Sequence, residues 1–233
     1  MKVQCVWEHN GGDTLLYCDN LPGAYTRGES REVALVKMAA EARSWLTWAG
    51  QAVPDSMDVE IVQEKACALQ VRDADSDVLF ASEIQPLTRE KYEGLKALTL
   101  RSAADFQKLY DGVPDKEKSN LGRRRTFYGD VPRTAREMYE HTKNVNAYYF
   151  GEIDVTADNE GTILDCRHRG FGLLEAVPDF LTKPPCQGSW GEWWSVRKVL
   201  RRFLWHDRIH AKAMYRMAVS TFPDSPIPNP FCF

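Results

Sequence analysis

One segment constrains this chain more than any other. Taken at about 100° per residue, the stretch from about Ser189 to Val219, with "RRFLWHDRIHAKAMYRM" at residues 201–217, has the pattern of one helix. Val196, Val199, Phe203, His206, His210, Ala213, Met214 and Met217 share a broad sector, and Arg201, Arg208, Lys212 and Arg216 lie outside it. A second apolar band, Trp193, Leu200, Leu204, Ala211 and Tyr215, sits about half a turn away, with Trp194 and Trp205 further round. A helix apolar over so much of its circumference must be covered on more than one side. The cover is either the N-terminal part of the chain or a second copy, and the expectation taken here is a homodimer.

Three more helices are signed before it. The first spans about Thr88 to Tyr110, with Tyr92, Leu95, Thr99, Ala103 and Phe106 at three-to-four spacing. The second opens on a capping box, Thr134 with Glu137, and continues to about Glu152. The third covers about Gly161 to Val177, and Ser189 with Glu192 offers a capping box for the fourth. Four such helices predict an antiparallel bundle over residues 86–233, ended by a proline-rich tail, "FPDSPIPNPFCF", that cannot continue a helix.

The first 65 residues have a different grammar. "KVQCVWE" alternates Val3, Cys5 and Trp7, "HNGGD" is a turn signal, and "TLLYC" resumes a strand pattern, so a hairpin is expected. Ser30 can cap a helix to about Ala49, and "MDVEIVQEK" reads as a further strand. The stretch "CDNLPGAYTRGESREVALVKMAAEARSWL" resembles the HicB-like fold over residues 1–65, which implies a small β-rich sheet with one helix and a docking surface. Residues 66–85 are acid-rich around a short plug, "VLF", and form a connector that packs one hydrophobic cluster against a neighbour. The fold class expected is therefore α+β in two domains, a small α/β unit at 1–83 followed by an antiparallel four-helix bundle at 86–233.

Composition narrows the function classes. Thirty Lys and Arg against 33 Asp and Glu leave a net charge of −3, which supplies no general reason for a nucleic-acid or membrane partner. The one basic run, Arg123 to Arg125 in "LGRRRTFYG", reads as a solvated loop. Six cysteines without a C-x-x-C pair read as free thiols, and no N-terminal signal or long apolar run is present, so a cytoplasmic location is expected.

The chemistry is carried by histidine. His206 and His210, at i and i+4, can converge on one ion, as in the H-E-x-x-H motif. In "REMYEHTKNVNAYYF", His141 shares a face with Met138, Val145 and Tyr148 and supplies a third inward ring. Burying three neutral imidazoles without partners costs on the order of 1 to 3 kcal/mol each, so a metal is the economical explanation. A catalytic zinc-type site wants three protein ligands and one open position. Tyr148, Asn144 and Glu137 lie near His141 on the same helix and are candidate positioning or catalytic groups. Asp207 projects about 100° from His206 and is a poor base for the same ion. His168 borders an apolar helix side and is a remote further ligand, His9 falls at the hairpin turn, and Cys166 and Cys186 have no spacing that ties them to the histidines.

The segments "TAREMYEHTKNVNAYYF" and "EWWSVRKVLRRFLWHDRIH" resemble the second and last helices of the DinB superfamily of metal-binding four-helix bundles, over residues 86–223. That resemblance implies His141, His206 and His210 as ligands of a divalent ion, zinc or nickel. It implies thiol or water activation for transfer to a small molecule, with a low-molecular-weight thiol as co-substrate. The alternative is a non-catalytic binding or regulatory protein, with a structural metal and a partner docked on the HicB-like module.

Overall fold

A computed structural model describes residues 1–233. The fold is α+β, with five helices and a four-stranded mixed sheet. The sheet is made of β1 (Lys2–Asn10), β2 (Asp13–Cys18), β3 (Tyr25–Gly28) and β4 (Asp58–Ala66), in the order β3-β2-β1-β4. The expected hairpin pairs β1 and β2 antiparallel, Cys5 opposite Cys18, and β4 returns parallel to β1. Helix α1 (Arg31–Ala49) makes that crossover. Ser30 caps it by accepting from the Val33 amide, and Gly50 ends it in the left-handed conformation. Strand β3 lies between the hairpin and the Ser30 cap, where the sequence signals no strand. It runs four residues, too short for alternation to register, and is held by pairing to β2.

Helices α2 (Arg89–Gly112), α3 (Ala135–Gly151), α4 (Ile163–Glu175) and α5 (Val196–Thr221) follow. The Thr134–Glu137 capping box of α3 forms in both directions. α5 starts six residues later than a cap at Ser189 would place it. Ser189–Gly191 is a single 3-10 turn in which Trp190 takes a φ of 63°, and Trp193 and Trp194 form a short strand, β8, against Cys186–Gln187, β7. The cap is Ser195, whose hydroxyl accepts from the Lys198 amide at 3.1 Å. α2 and α3 each pack on α5 and on α4.

α5 is the centre of the molecule. Of its second apolar band, Leu200, Leu204 and Ala211 are buried within the chain, while Trp193 lies before the helix in β8 and is 52% exposed. Leu204 joins a core cluster containing Val3, Leu16, Met38 and Trp45 of the N-terminal unit, with Phe106, Met138 and Met214 of the helices. Trp205 packs with Val6, Leu15 and Tyr17 from the opposite face of the sheet and with Val78 and Phe80 of the "VLF" plug. The connector thus packs as expected, and one core runs through both parts of the chain.

Of the charged side of α5, Arg216 is solvated, but Arg201 and Arg208 are buried and Lys212 half-buried. Arg201 is ion-paired with Glu83 and donates to the Val78 carbonyl at 3.0 Å. Arg208 meets Glu41 of α1 at 2.6 Å, and Lys212 meets the same carboxylate at 2.6 Å. Lys198 donates to the carbonyls of Asp77 and Trp193. Residues 76–83 and α1 therefore seat on α5 through buried cations matched to carboxylates and carbonyls, the pairing that burial of charge requires. The tail docks as well: Phe231 stacks on Trp48 at 5.7 Å, and Ser44 donates to the Cys232 carbonyl.

The loop from Asp19 to Gly23, between β2 and β3, also approaches α5 closely. Gly23 has a φ of 92°, and a Cβ there would lie 2.8 Å from Leu204 Cβ. Gly23→Ala should therefore lose about 1–3 kcal/mol through combined backbone strain and overpacking. Urea denaturation measures this, and an unchanged midpoint would show that the loop moves freely off the helix.

Candidate metal centre

α3 and α5 bring His141, His206 and His210 together. The ring centroids are 5.1 Å apart for His141 and His206, 4.6 Å for His141 and His210, and 4.5 Å for His206 and His210. One potential ligand atom from each lies within 4.8 Å of the others. His206 is buried, and the other two are half-buried at the cavity surface. His206 Nδ1 is buried with no hydrogen-bond partner. Three imidazoles with ligand atoms this close, one of them carrying a buried nitrogen without a partner, are the donor set a borderline divalent ion requires, so the residues fit a metal.

The electrostatics favour the ligand form. Burial lowers the pKa of His141; burial, reinforced by neighbouring cationic groups, holds His206 and His210 well below the usual 6.5. All three are neutral at physiological pH, as ligation demands. A consequence for stability follows in metal-free protein. Below pH 6.5 the unfolded chain takes up protons that the folded chain refuses, so stability contributed by these rings is complete above that value and declines as pH falls. Urea midpoints of chelator-treated protein should therefore drop more steeply below neutrality than those of His206→Gln. Parallel pH profiles would contradict the assignment of these rings as neutral and buried.

The histidines lie on the floor of a cavity of about 780 Å³ between the helices, the N-terminal sheet and the connector. Tyr25 and Arg27 of β3 and Asp73 to Asp77 of the connector form one wall, and Tyr148, Tyr149 and Arg202 form the other. The Arg123–Arg125 run, expected as a plain solvated loop, leads into a short hairpin of β5 (Arg125–Thr126) and β6 (Gly129–Asp130). Arg124 pairs with Asp73 at 3.1 Å, and Phe127 and Tyr128 at the hairpin tip stand at the cavity mouth. Trp190, 94% exposed, faces the same mouth.

The remaining candidates separate. Tyr148 lines the cavity; burial, then Glu152 and Glu192, raise its pKa and keep the hydroxyl protonated. Asn144 is exposed and away from the cavity. Glu137 is used by the cap, where its carboxylate accepts from the amides of Arg133 and Thr134 and is held low in pKa by them. His168 is exposed on α4, outside the cavity. His9 is bonded to Glu64 at 3.0 Å and stacked on Trp7, so it is not the free turn residue expected. Asp207 turns away into a buried pair with Arg167 at 3.2 Å. All six cysteines are free; Cys166 and Cys186 bond to the carbonyls of Ile163 and Glu152 and do not reach the cavity.

Two groups in the cavity wall escaped the sequence reading. Asp75 arrives from the connector, and burial raises its carboxyl pKa. Arg202 stands one turn before His206, and its signal was present: Arg202, His206 and His210 repeat at i, i+4 and i+8. No helix is long and apolar enough to cross a membrane. Comparison with family models, with curated proteins and with solved structures finds no match to the chain, so its residues and geometry alone carry the functional reading.

Proposed function

We propose that the protein is a divalent-metal-dependent enzyme of the DinB-like type, in which α2 to α5 form a four-helix bundle behind a HicB-like module. His141, His206 and His210 hold the ion, zinc or nickel. When bound by three neutral imidazoles, such an ion keeps its full charge and acidifies a coordinated water or thiol. The observation that carries this reading is the placement of the three rings on the floor of an open cavity, with one buried nitrogen left unpartnered. A structural site is closed by a fourth protein ligand. No further histidine, cysteine or carboxylate joins this cluster.

The chain's own groups then divide the work. Tyr148, kept protonated, donates a hydrogen bond toward the cavity. Asp75, a cavity-lining carboxylate whose pKa burial raises, is the group we assign to accept the proton. The reaction class is transfer of an activated thiol or water to a small-molecule electrophile, with a low-molecular-weight thiol as the favoured nucleophile.

Metal analysis of the purified protein followed by a screen of thiol and electrophile pairs tests this. Turnover should vanish on chelation and return with the metal. A fully loaded protein inactive toward every pair would overturn the enzymatic reading and leave metal binding alone.

A further inference from the structure

The cavity holds a second feature that metal binding does not use. Arg202 is 9% exposed and lies in the cavity wall one helical turn, about 6 Å, from His206. The other buried arginines each meet a carboxylate: Arg201 meets Glu83, Arg208 meets Glu41 and Arg167 meets Asp207. Arg202 meets none. Its Nη1 donates to the Ser76 carbonyl at 3.1 Å, and its Nε is buried without a partner. The guanidinium is wedged among Trp205, Tyr149 and Trp194, with its carbon 4.8, 5.5 and 5.7 Å from their ring centroids. Such packing fixes its orientation and strips its water.

A buried cation without a counter-ion is costly, and retaining one beside an open cavity is explained if an anion arrives from solvent. We propose that Arg202 binds the carboxylate of an organic-acid substrate, setting its reactive atom beside the three histidines one turn further along α5. A guanidinium is the side chain best matched to a carboxylate, which it meets in charge-assisted hydrogen bonds. Glu8, Asp75 and Glu192 act on Arg202 from beyond ion-pair distance, so the guanidinium is left to pair with a single added carboxylate. The mouth selects an apolar or planar body: Phe127 and Tyr128 are 59% and 47% exposed there, and Trp190 is held out at positive φ.

This proposal names the substrate class of the site described above and rests on reading the cavity as a substrate site, but the binding step needs only Arg202. Its test therefore uses the full chain in both metal-free and zinc-loaded form. Phenylacetate, the uncharged phenylacetamide and inorganic phosphate are titrated while the fluorescence of the tryptophans flanking Arg202 is followed. Phenylacetate should bind at least about tenfold more tightly than the amide in both forms, the range expected for a charge-assisted pair. Arg202→Gln should abolish that preference while leaving amide affinity within about twofold of wild type. Three results overturn the proposal: equal or absent binding of acid and amide by the wild-type protein, tighter binding of phosphate, or a preference that survives Arg202→Gln. A preference confined to the zinc-loaded form would place the anion on the metal and overturn it as well. Zinc content measured on the same samples reports separately on the histidine site.

Discussion

Replacing His206 by alanine is expected to weaken divalent-metal binding by more than about a hundredfold, because even outer-sphere partners of a ligand are worth 10 to 100-fold. His206 is the buried member of the trio and the one with a stranded nitrogen, so it contributes most to closing the site. The same change should remove the thermal stabilisation by zinc. An ion in thousandfold excess over its dissociation constant adds about 4 kcal/mol to the folded state, and the variant should gain almost none. Competition titration against a chromogenic chelator gives the affinity, and a melting curve with and without zinc gives the linkage. His168→Ala is the control, since His168 is exposed on α4 and should change neither. Wild-type affinity in the His206 variant would remove α5 from the site.

Glu83→Ala should destabilise the fold by about 3–5 kcal/mol, the usual cost of stranding one member of a buried ion pair. Glu83 is 1% exposed and Arg201 is 4% exposed, and no other carboxylate pairs with Arg201. The carboxylate also accepts from the Phe80 amide at 2.8 Å, so the turn that places the "VLF" plug loses a second anchor. Replacing both charges together, Glu83→Leu with Arg201→Met, should recover most of the loss, because a well-packed apolar pair avoids the desolvation both ions incur. Urea unfolding of the single and double variants decides this. A single-variant loss below about 1 kcal/mol would mean that Arg201 reaches water, and that the connector is not fastened to α5 as described.

Legibility in the sequence followed the range of the interaction. Thr134 and Glu137 signed the start of α3 because a capping box is local, and the hairpin of β1 and β2 was signed by its turn. Ser189 with Glu192 has the same spacing but caps nothing, since Trp190 and Gly191 both take positive φ and break the chain there. The working cap, Ser195, has Lys198 at the third helical position and so carries no box signature. The three histidines were legible because periodicity alone places them inward.

Periodicity also hid something. A wheel counts Arg201, Arg208 and Lys212 as solvent-facing, and their burial depends on Glu83 and Glu41, more than a hundred residues away in the chain. The cavity was invisible for the same reason: Tyr25 and Asp75 line it beside the histidines only through the packing of the sheet and connector on α5.

The central claim is that two helices present three imidazoles to one ion at a cavity floor. Anomalous diffraction at the zinc edge, from crystals grown with zinc and never exposed to chelator, tests it most directly. The account predicts a single strong peak in bonding contact with His141, His206 and His210, with a remaining coordination position open to the cavity. Zinc bound elsewhere, or three rings free of metal in crystals supplied with it, would contradict it.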